Sequence, residues 1–156
     1  MNSELLAELT DLSHAGLRVG LCHGCFDLLH PGHISHFNYA KSCVDILVVS
    51  ITSDEFVNKG PCRPVFPDSA RLLMVSSLRS VDYSFITYSP NAVVLLGAFP
   101  FNVYFKGPDY LYSNHPGFQL ELLSLSESTS VIYTPTEKHS STDYIRRIAS
   151  SFSAGK

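Results

Sequence analysis

Apolar positions along the chain switch between helical and strand spacing, and the switches mark out an ordered series of elements. Leu5, Leu6 and Leu9 share one side of a short amphipathic helix over 1–15. LRVGLC (17–22) is a short apolar strand that runs into a glycine-bearing loop at 23–31, and GHISHFNYAKS (32–42) reads as a helix. DILVVSIT (45–52) is a continuous apolar run of strand length, the pattern of a strand buried on both faces in a parallel sheet. A polar, proline-punctuated stretch at 53–67 predicts a loop. Asp68 is placed to cap a helix over 69–79 whose core side is Leu72, Leu73, Met74, Val75 and Leu78.

Further strands are expected at 83–88, 102–106 (NVYFK) and 130–134 (SVIYT). Between them, Ser89 and Pro90 open a helix through Leu96, and 118–126 and 140–152 supply two more. Strands alternating with helices predict an α/β fold, a Rossmann-like three-layer α/β/α arrangement around a five-stranded parallel sheet. The domain is expected to occupy 1–149. The small, polar stretch SSFSAGK (150–156) resembles a linker leading to a further domain of a longer enzyme.

Composition narrows the class. A chain of 156 residues supports one domain with a real core. With 45% hydrophobic and 16% charged residues it reads as globular rather than disordered. The net charge of -3, from 11 Lys+Arg against 14 Asp+Glu, argues against nucleic acid as a partner but leaves room for a local basic pocket. No apolar run reaches the ~20 residues needed to span a bilayer, so no membrane association is expected. Glu4 and Glu8, with no early basic cluster, argue against an export signal, so the cytoplasm is expected and Cys22, Cys25, Cys43 and Cys62 read as free thiols. Cys22 and Cys25 form a C-x-x-C, but no second ligand pair is spaced for zinc, so no protein-bound metal site is expected.

The chemistry concentrates in His23-Gly24-Cys25-Phe26-Asp27-Leu28-Leu29-His30-Pro31-Gly32-His33. This segment follows the first strand, where ligands collect in open parallel sheets. Gly24 allows close approach of backbone to a phosphate, and Gly32 at the helix start leaves amides free for an anion. His30 and His33, three apart, can face one bound group. When an acceptor phosphate attacks the α-phosphorus of a nucleoside triphosphate, charge builds on the equatorial oxygens and on the departing pyrophosphate. Donors already aimed there stabilise that state, and no covalent help is needed. A lone H-x-x-H would read as surface histidines beside a cap; six such residues at one strand-to-helix junction do not.

HGCFDLLHPGH resembles the G-x-F-D-x-x-H-x-G-H signature of the cytidylyltransferase-like nucleotidyltransferases. That family includes glycerol-3-phosphate, phosphocholine and phosphoethanolamine cytidylyltransferases and the adenylyltransferase of ADP-heptose synthesis. Similarity runs from about Leu17 to Ile148, through SDEFVNKG (53–60), RPVFPDSAR (63–71), VDY (81–83), FKGPDY (105–110) and SSTDYIRRI (140–148). It is similar as well to the cytidylyltransferase domain of bifunctional phosphonate (fosfomycin) biosynthesis enzymes. The resemblance implies the nucleotidyltransferase (HUP-like) version of the fold.

It also implies roles. His30, His33, Lys59 and Arg71 are the expected catalytic set. Lys59, on a loop after the second strand, is a cation able to close over phosphates; Arg71 suits bidentate phosphate contact. Lys59, Arg63 and Arg71 are the acceptor-binding candidates. The nucleotide-binding set is Gly24, Cys25, Phe26, Asp27, His30, Gly32 and His33, joined by Lys106, Gly107, Asp109, Thr134, Ser140, Ser141 and Thr142. Hydroxyls and free amides at 140–142 can hold β- and γ-phosphates. Two departures stand out. Pro108 replaces the glycine or aspartate usual there, and Pro135 takes the place of the arginine in R-T-E-G-I-S-T, leaving Lys138 or His139 for a basic contact. Heptose-type adenylyltransferases lack that arginine too.

The expected reaction is transfer of CMP from CTP, with Mg²⁺ on the triphosphate, to a sugar phosphate, an alcohol phosphate or a phosphonate such as hydroxyethylphosphonate. The alternative is adenylyl transfer from ATP to a sugar phosphate. A reading of another class is a non-catalytic nucleotide sensor on the same fold, against which intact His30, His33, Lys59 and Arg71 argue. By resemblance, the protein is expected to form a homodimer.

Overall fold

Apolar runs of four to seven residues become strands here because helices cover both of their faces. The computed structural model describes residues 1–137 and 139–153. Its strands are β1 (Val19–Gly24), β2 (Ile46–Thr52), β3 (Tyr83–Thr87), β4 (Val103–Lys106) and β5 (Ser130–Tyr133). They form one parallel sheet in the order β3-β2-β1-β4-β5. The helices are α1 (Ser3–His14), α2 (Pro31–Ser42), α3 (Asp68–Ser76), α4 (Val93–Ala98), α5 (Pro116–Leu123) and α6 (Ser141–Ser153). This is the Rossmann-like α/β/α class that the alternating pattern predicts.

The period of two along each strand sorts side chains into two cores. Leu21, Val48 and Tyr104 join Leu9 of α1, Leu95 of α4 and Phe118 of α5 on one face. Cys22, Leu47, Val49, Ile51 and Phe105 join Phe37 of α2 and Val75 of α3 on the other. Strand order reverses between β1 and β4, so their carboxyl ends, His23–Gly24 and Lys106, open the crevice where such sheets bind ligands.

Several expected details change. Pro67, not Asp68, precedes α3, and the Asp68 carboxylate instead accepts from the Asp54 amide at 3.3 Å. Leu73 of α3 faces solvent rather than core, because a nine-residue helix over one sheet face buries only a stripe. Ser89 and Pro90 do not open α4. The Glu121 carboxylate on α5 accepts from Ala92 N at 2.9 Å just before that helix, a tertiary cap that replaces the local one. Helix α6 continues through Ser153, so the stretch expected to resemble a linker is helical over 150–153, and its remainder lies outside the described residues. No helix among the described residues is long and apolar enough to cross a membrane.

Gly20 shows how tightly β1 is packed. A Cβ there would meet Phe105 Cε2 at 2.7 Å and Val44 Cγ1 at 3.1 Å. Gly20→Ala is expected to cost ~1–3 kcal/mol by overpacking, read as a lower urea midpoint with an unchanged slope.

Candidate active site

The loop between β1 and α2 has an unfavourable backbone that other segments must hold. Phe26 (φ 48°) and Leu28 (φ 51°) are left-handed without being glycine, at about 1–2 kcal/mol each. Two charged groups fasten them. The Asp27 carboxylate, almost wholly buried, accepts Arg63 Nε at 2.7 Å and the amides of Val65 (2.9 Å) and Phe66 (3.2 Å). Burial works to raise its pKa, but those amides and the guanidinium prevail and hold the carboxyl below its ordinary range. The Asp27 carbonyl in turn accepts Ser141 Oγ at 2.6 Å, pinning the start of α6.

Arg71 is the second fastener. Its side chain is fully buried, with Nη1 donating to the carbonyls of Cys25 (2.7 Å) and Thr52 (2.8 Å) and Nε to that of Phe66 (3.0 Å). Nη2 meets Asp54 at 2.6 Å. The expectation that Arg71 grips a phosphate is therefore corrected. Its nitrogens are engaged by three backbone carbonyls and the Asp54 carboxylate, and it does not line the cavity.

The cavity, ≈ 340 Å³, opens over the carboxyl ends of β1 and β4, within the ~300–1,000 Å³ usual for small-molecule sites. Of the expected residues, Gly24, Cys25, Phe26, His30, Gly32, His33, Lys59, Arg63, Lys106, Gly107, Asp109 and Ser140 to Thr142 line it. Asp27 and Thr134 stand behind the wall with Arg71, and Lys138 lies outside the described residues. Gly24 is also packed closely, since a Cβ there would meet the Phe26 ring at 3.1 Å. That ring in turn contacts His33, edge to face, at 5.4 Å.

His30 and His33 stack with ring centroids 3.7 Å apart, and the Nδ1 atoms of both are buried without a partner. Arg63 Nη2 is likewise buried and unpartnered. Burial lowers the pKa of His30, helped by His139 and Lys59. Burial, then His30 and Lys59, push His33 down to about 3. The hydroxyls of 140–142 are less free than expected: Ser140 Oγ accepts from the Asp143 amide at 3.4 Å, and Thr142 Oγ1 from Arg63 Nη1 at 3.5 Å.

Four contributors stand outside the expected site sets, although His23 opens the motif and His139 is named beside Lys138 for a basic contact. His23 and His36 line the cavity, and burial followed by the Lys106 charge depresses each to about 4. His139 closes over Gly32, where a Cβ would lie 2.8 Å from its own, and its Nδ1 meets Tyr144 Oη at 2.9 Å. The fourth, Glu121, pairs with buried Lys106 at 2.7 Å, and the Lys106 charge overrides burial to keep that carboxyl below its ordinary range. The H-x-x-H spacing from His33 to His36 is visible in the sequence, as are the places of His23 in the motif and His139 beside the hydroxyl run; nothing local points to Glu121. All four cysteines are free. Among the described residues no cluster of three or more His, Cys, Asp or Glu could hold a metal ion.

The family description "cytidylyltransferase-like" matches residues 21–147. The chain is similar to the bifunctional protein HldE of Caulobacter vibrioides, 43% identical over 97 residues, covering 61% of this chain and 20% of that protein. With HldE of Hyphomonas neptunium it is 36% identical over 135 residues, 85% of this chain and 27% of the relative. The chain thus spans 20–27% of the length of these relatives. Among solved structures it is similar to the lipopolysaccharide core biosynthesis protein of Thermoplasma volcanium, with TM-score 0.65 and 21% identity over 79% of this chain and 100% of that one. A pantoate-β-alanine ligase from Francisella tularensis shares the fold at TM-score 0.55 and 17% identity, covering 86% of this chain and 66% of the other.

Two outcomes follow from this geometry. Arg71→Met is expected to cost on the order of 3 kcal/mol, since buried carbonyls of Cys25, Thr52 and Phe66 lose their donors; chemical denaturation measures it. His23, His33 and His36 are neutral in folded and unfolded chains above pH 6.5, their ordinary value. Below it the unfolded chain takes up protons that the folded chain accepts only near 3–4. Stability is therefore full above that value and falls as pH drops toward 4, by about 1.4 kcal/mol per unit for each histidine. Urea midpoints at neutral pH and near pH 5 should differ in that sense.

Proposed function

The chain belongs to the cytidylyltransferase-like family and is a nucleotidyltransferase, and from that premise we propose that it transfers an adenylyl group from ATP to a sugar phosphate. The observation that carries the reading is the set of buried, unpartnered nitrogens round one cavity: His30 Nδ1, His33 Nδ1 and Arg63 Nη2. Buried polar groups are normally satisfied, so three unpartnered nitrogens on side chains that line one cavity suit an anionic ligand. The similarity to the bifunctional HldE proteins supports the heptose-type adenylyl reaction over the CTP reaction. The Pro135 departure fits the same choice, because the arginine absent there is also absent from heptose-type adenylyltransferases.

In this reading an acceptor phosphate oxygen attacks the α-phosphorus. A new P–O bond forms, the bond from the α-phosphorus to the bridging oxygen breaks, and pyrophosphate leaves with that electron pair. His30 and His33 hold the α-phosphate oxygens as charge grows on them. Lys59 and Arg63 draw in the acceptor phosphate, and the start of α6 at Ser140–Thr142 receives the leaving pyrophosphate. The fastening by Arg71 and Asp27 acts earlier, by placing the histidine loop.

Mg²⁺ belongs to this reading as an ion carried on the triphosphate. It keeps several waters and favours phosphate oxygens, and it would neutralise part of the charge on the leaving group. The described residues offer no protein cage for it. The histidines are held neutral by burial, and a polyanion beside them favours their protonated forms. ATP binding is therefore expected to take up protons and to strengthen as pH falls from neutral toward 6, which calorimetry in buffers of different ionisation enthalpy would read.

A matrix of nucleoside triphosphates against acceptor phosphates and phosphonates, assayed for pyrophosphate, tests the reaction. ATP with a sugar phosphate should lead; a clear preference for CTP would return the assignment to cytidylyl transfer. His30→Ala and His33→Ala should each lower kcat by ~10²–10³, with nucleotide affinity changed far less. Tight ATP binding with no pyrophosphate from any acceptor would favour the sensor reading instead.

A further inference from the structure

His36, like His23 and His139, is a cavity histidine to which the reaction above assigns no task. It lies on α2 one turn past His33 and lines the cavity. His30 and His33 feel Lys59, whereas the charge acting on His36 is Lys106 at the end of β4. The ring is anchored from behind: Nδ1 lies 2.9 Å from the hydroxyl of Thr134, which is completely buried. Nε2 is its remaining polar atom.

The hydrogen bonds open to that hydroxyl favour one tautomer. Thr134 Oγ1 donates to the Lys106 carbonyl at 3.3 Å, and a carbonyl can only accept. With its single proton used there, the hydroxyl accepts from His36, so the ring carries its proton on Nδ1. Its second lone pair is left for the Thr136 hydroxyl at 3.5 Å. Nε2 of His36 is then a lone pair. Burial and the Lys106 charge hold the ring neutral at ordinary pH, which preserves that lone pair. A lone pair repels phosphate oxygens and accepts from N–H or O–H groups. A nucleoside presents such donors, on its base and its ribose; an ionised triphosphate tail presents none.

We propose that His36 Nε2 accepts a hydrogen bond from an N–H or O–H of the nucleoside half of the substrate, with Thr134 as the positioning residue that sets its tautomer. The proposal rests on the cavity being a nucleoside triphosphate site, and it makes His36 a specificity residue rather than one that handles phosphate. His36 and Thr134 are separated by 98 positions in the sequence, so the pair forms only when β5 closes the sheet edge.

Calorimetry with ATP and with inorganic tripolyphosphate, which has no nucleoside, tests it on the whole chain. His36→Phe should weaken ATP ~10-fold or more, the equivalent of about 1.4 kcal/mol, and leave tripolyphosphate within ~2-fold. Tripolyphosphate binding also reports that the variant is folded. Should His36→Phe fail to fold, His36→Gln, which can present an amide oxygen at similar depth, carries the test by retaining part of the ATP affinity. Deoxyribose analogues of ATP and the triphosphate of purine riboside, which lacks the exocyclic amine, separate ribose from base. The analogue missing the donor should bind wild type weakly and lose nothing further in His36→Phe. Nitrogen NMR of the His36 ring should show Nδ1–H in wild type and a shift toward Nε2–H in Thr134→Val, a signature that mere packing would not move. Equal weakening of ATP and tripolyphosphate, or no weakening of either, overturns the inference while the nucleotidyltransferase reading stands. Wild-type protein that binds no nucleoside triphosphate overturns both.

Discussion

The Asp27 carboxylate is the point on which the site depends. One buried anion gathers an arginine and two amides from the stretch before α3, while its own carbonyl takes a hydroxyl from α6. Three segments remote in sequence meet at one residue. An isolated buried carboxylate would be costly, so the arrangement holds only when all partners are in place, which makes it cooperative. Arg71 does the same from below, bridging the ends of β1 and β2 through carbonyl oxygens. Together they hold a loop whose backbone is left-handed at Phe26 and Leu28, and so fix where His30 and His33 point.

The electrostatics of the cavity follow from its burial. Five of the seven histidines in the chain line it, with Lys59, Arg63 and Lys106 close by. Such a group could not stay fully charged without a counter-ion. Burial above all, with nearby positive charge adding to it, keeps His23, His30, His33 and His36 neutral, and Glu121 balances Lys106. The net charge of the chain is -3, so the basic character is local and concealed. On the function proposed above, the site gains charge when a small polyanion binds.

Much of this is legible in the order of the amino acids. Apolar runs at 45–52 and 102–106 read as buried strands because a parallel sheet covers both faces, and HGCFDLLHPGH announces both the turn and its chemistry. The histidines of that motif sit where its spacing implies. Arg71 is easily misread, because an arginine near phosphate-binding residues looks the same in sequence whether its donors face a ligand or three carbonyls. Glu121 is invisible for a related reason: an acid inside FQLELL resembles any helix-surface acid until Lys106 and Ala92 are brought to it.

The division has a physical basis. Sequence alone determined what depends on local spacing: the order of strands and helices, the loop that carries the histidines, and the family to which it points. Tertiary structure decided what depends on partners far apart in the chain. The donors of Arg71 are taken by groups 5 to 46 positions away, the Asp27 carboxylate by Arg63 36 positions away, and Nδ1 of His36 by Thr134 98 positions away. Hydrogen-bond capacity is finite and buried donors are used up by whatever folding places beside them; residue type states the capacity, and only the fold assigns it.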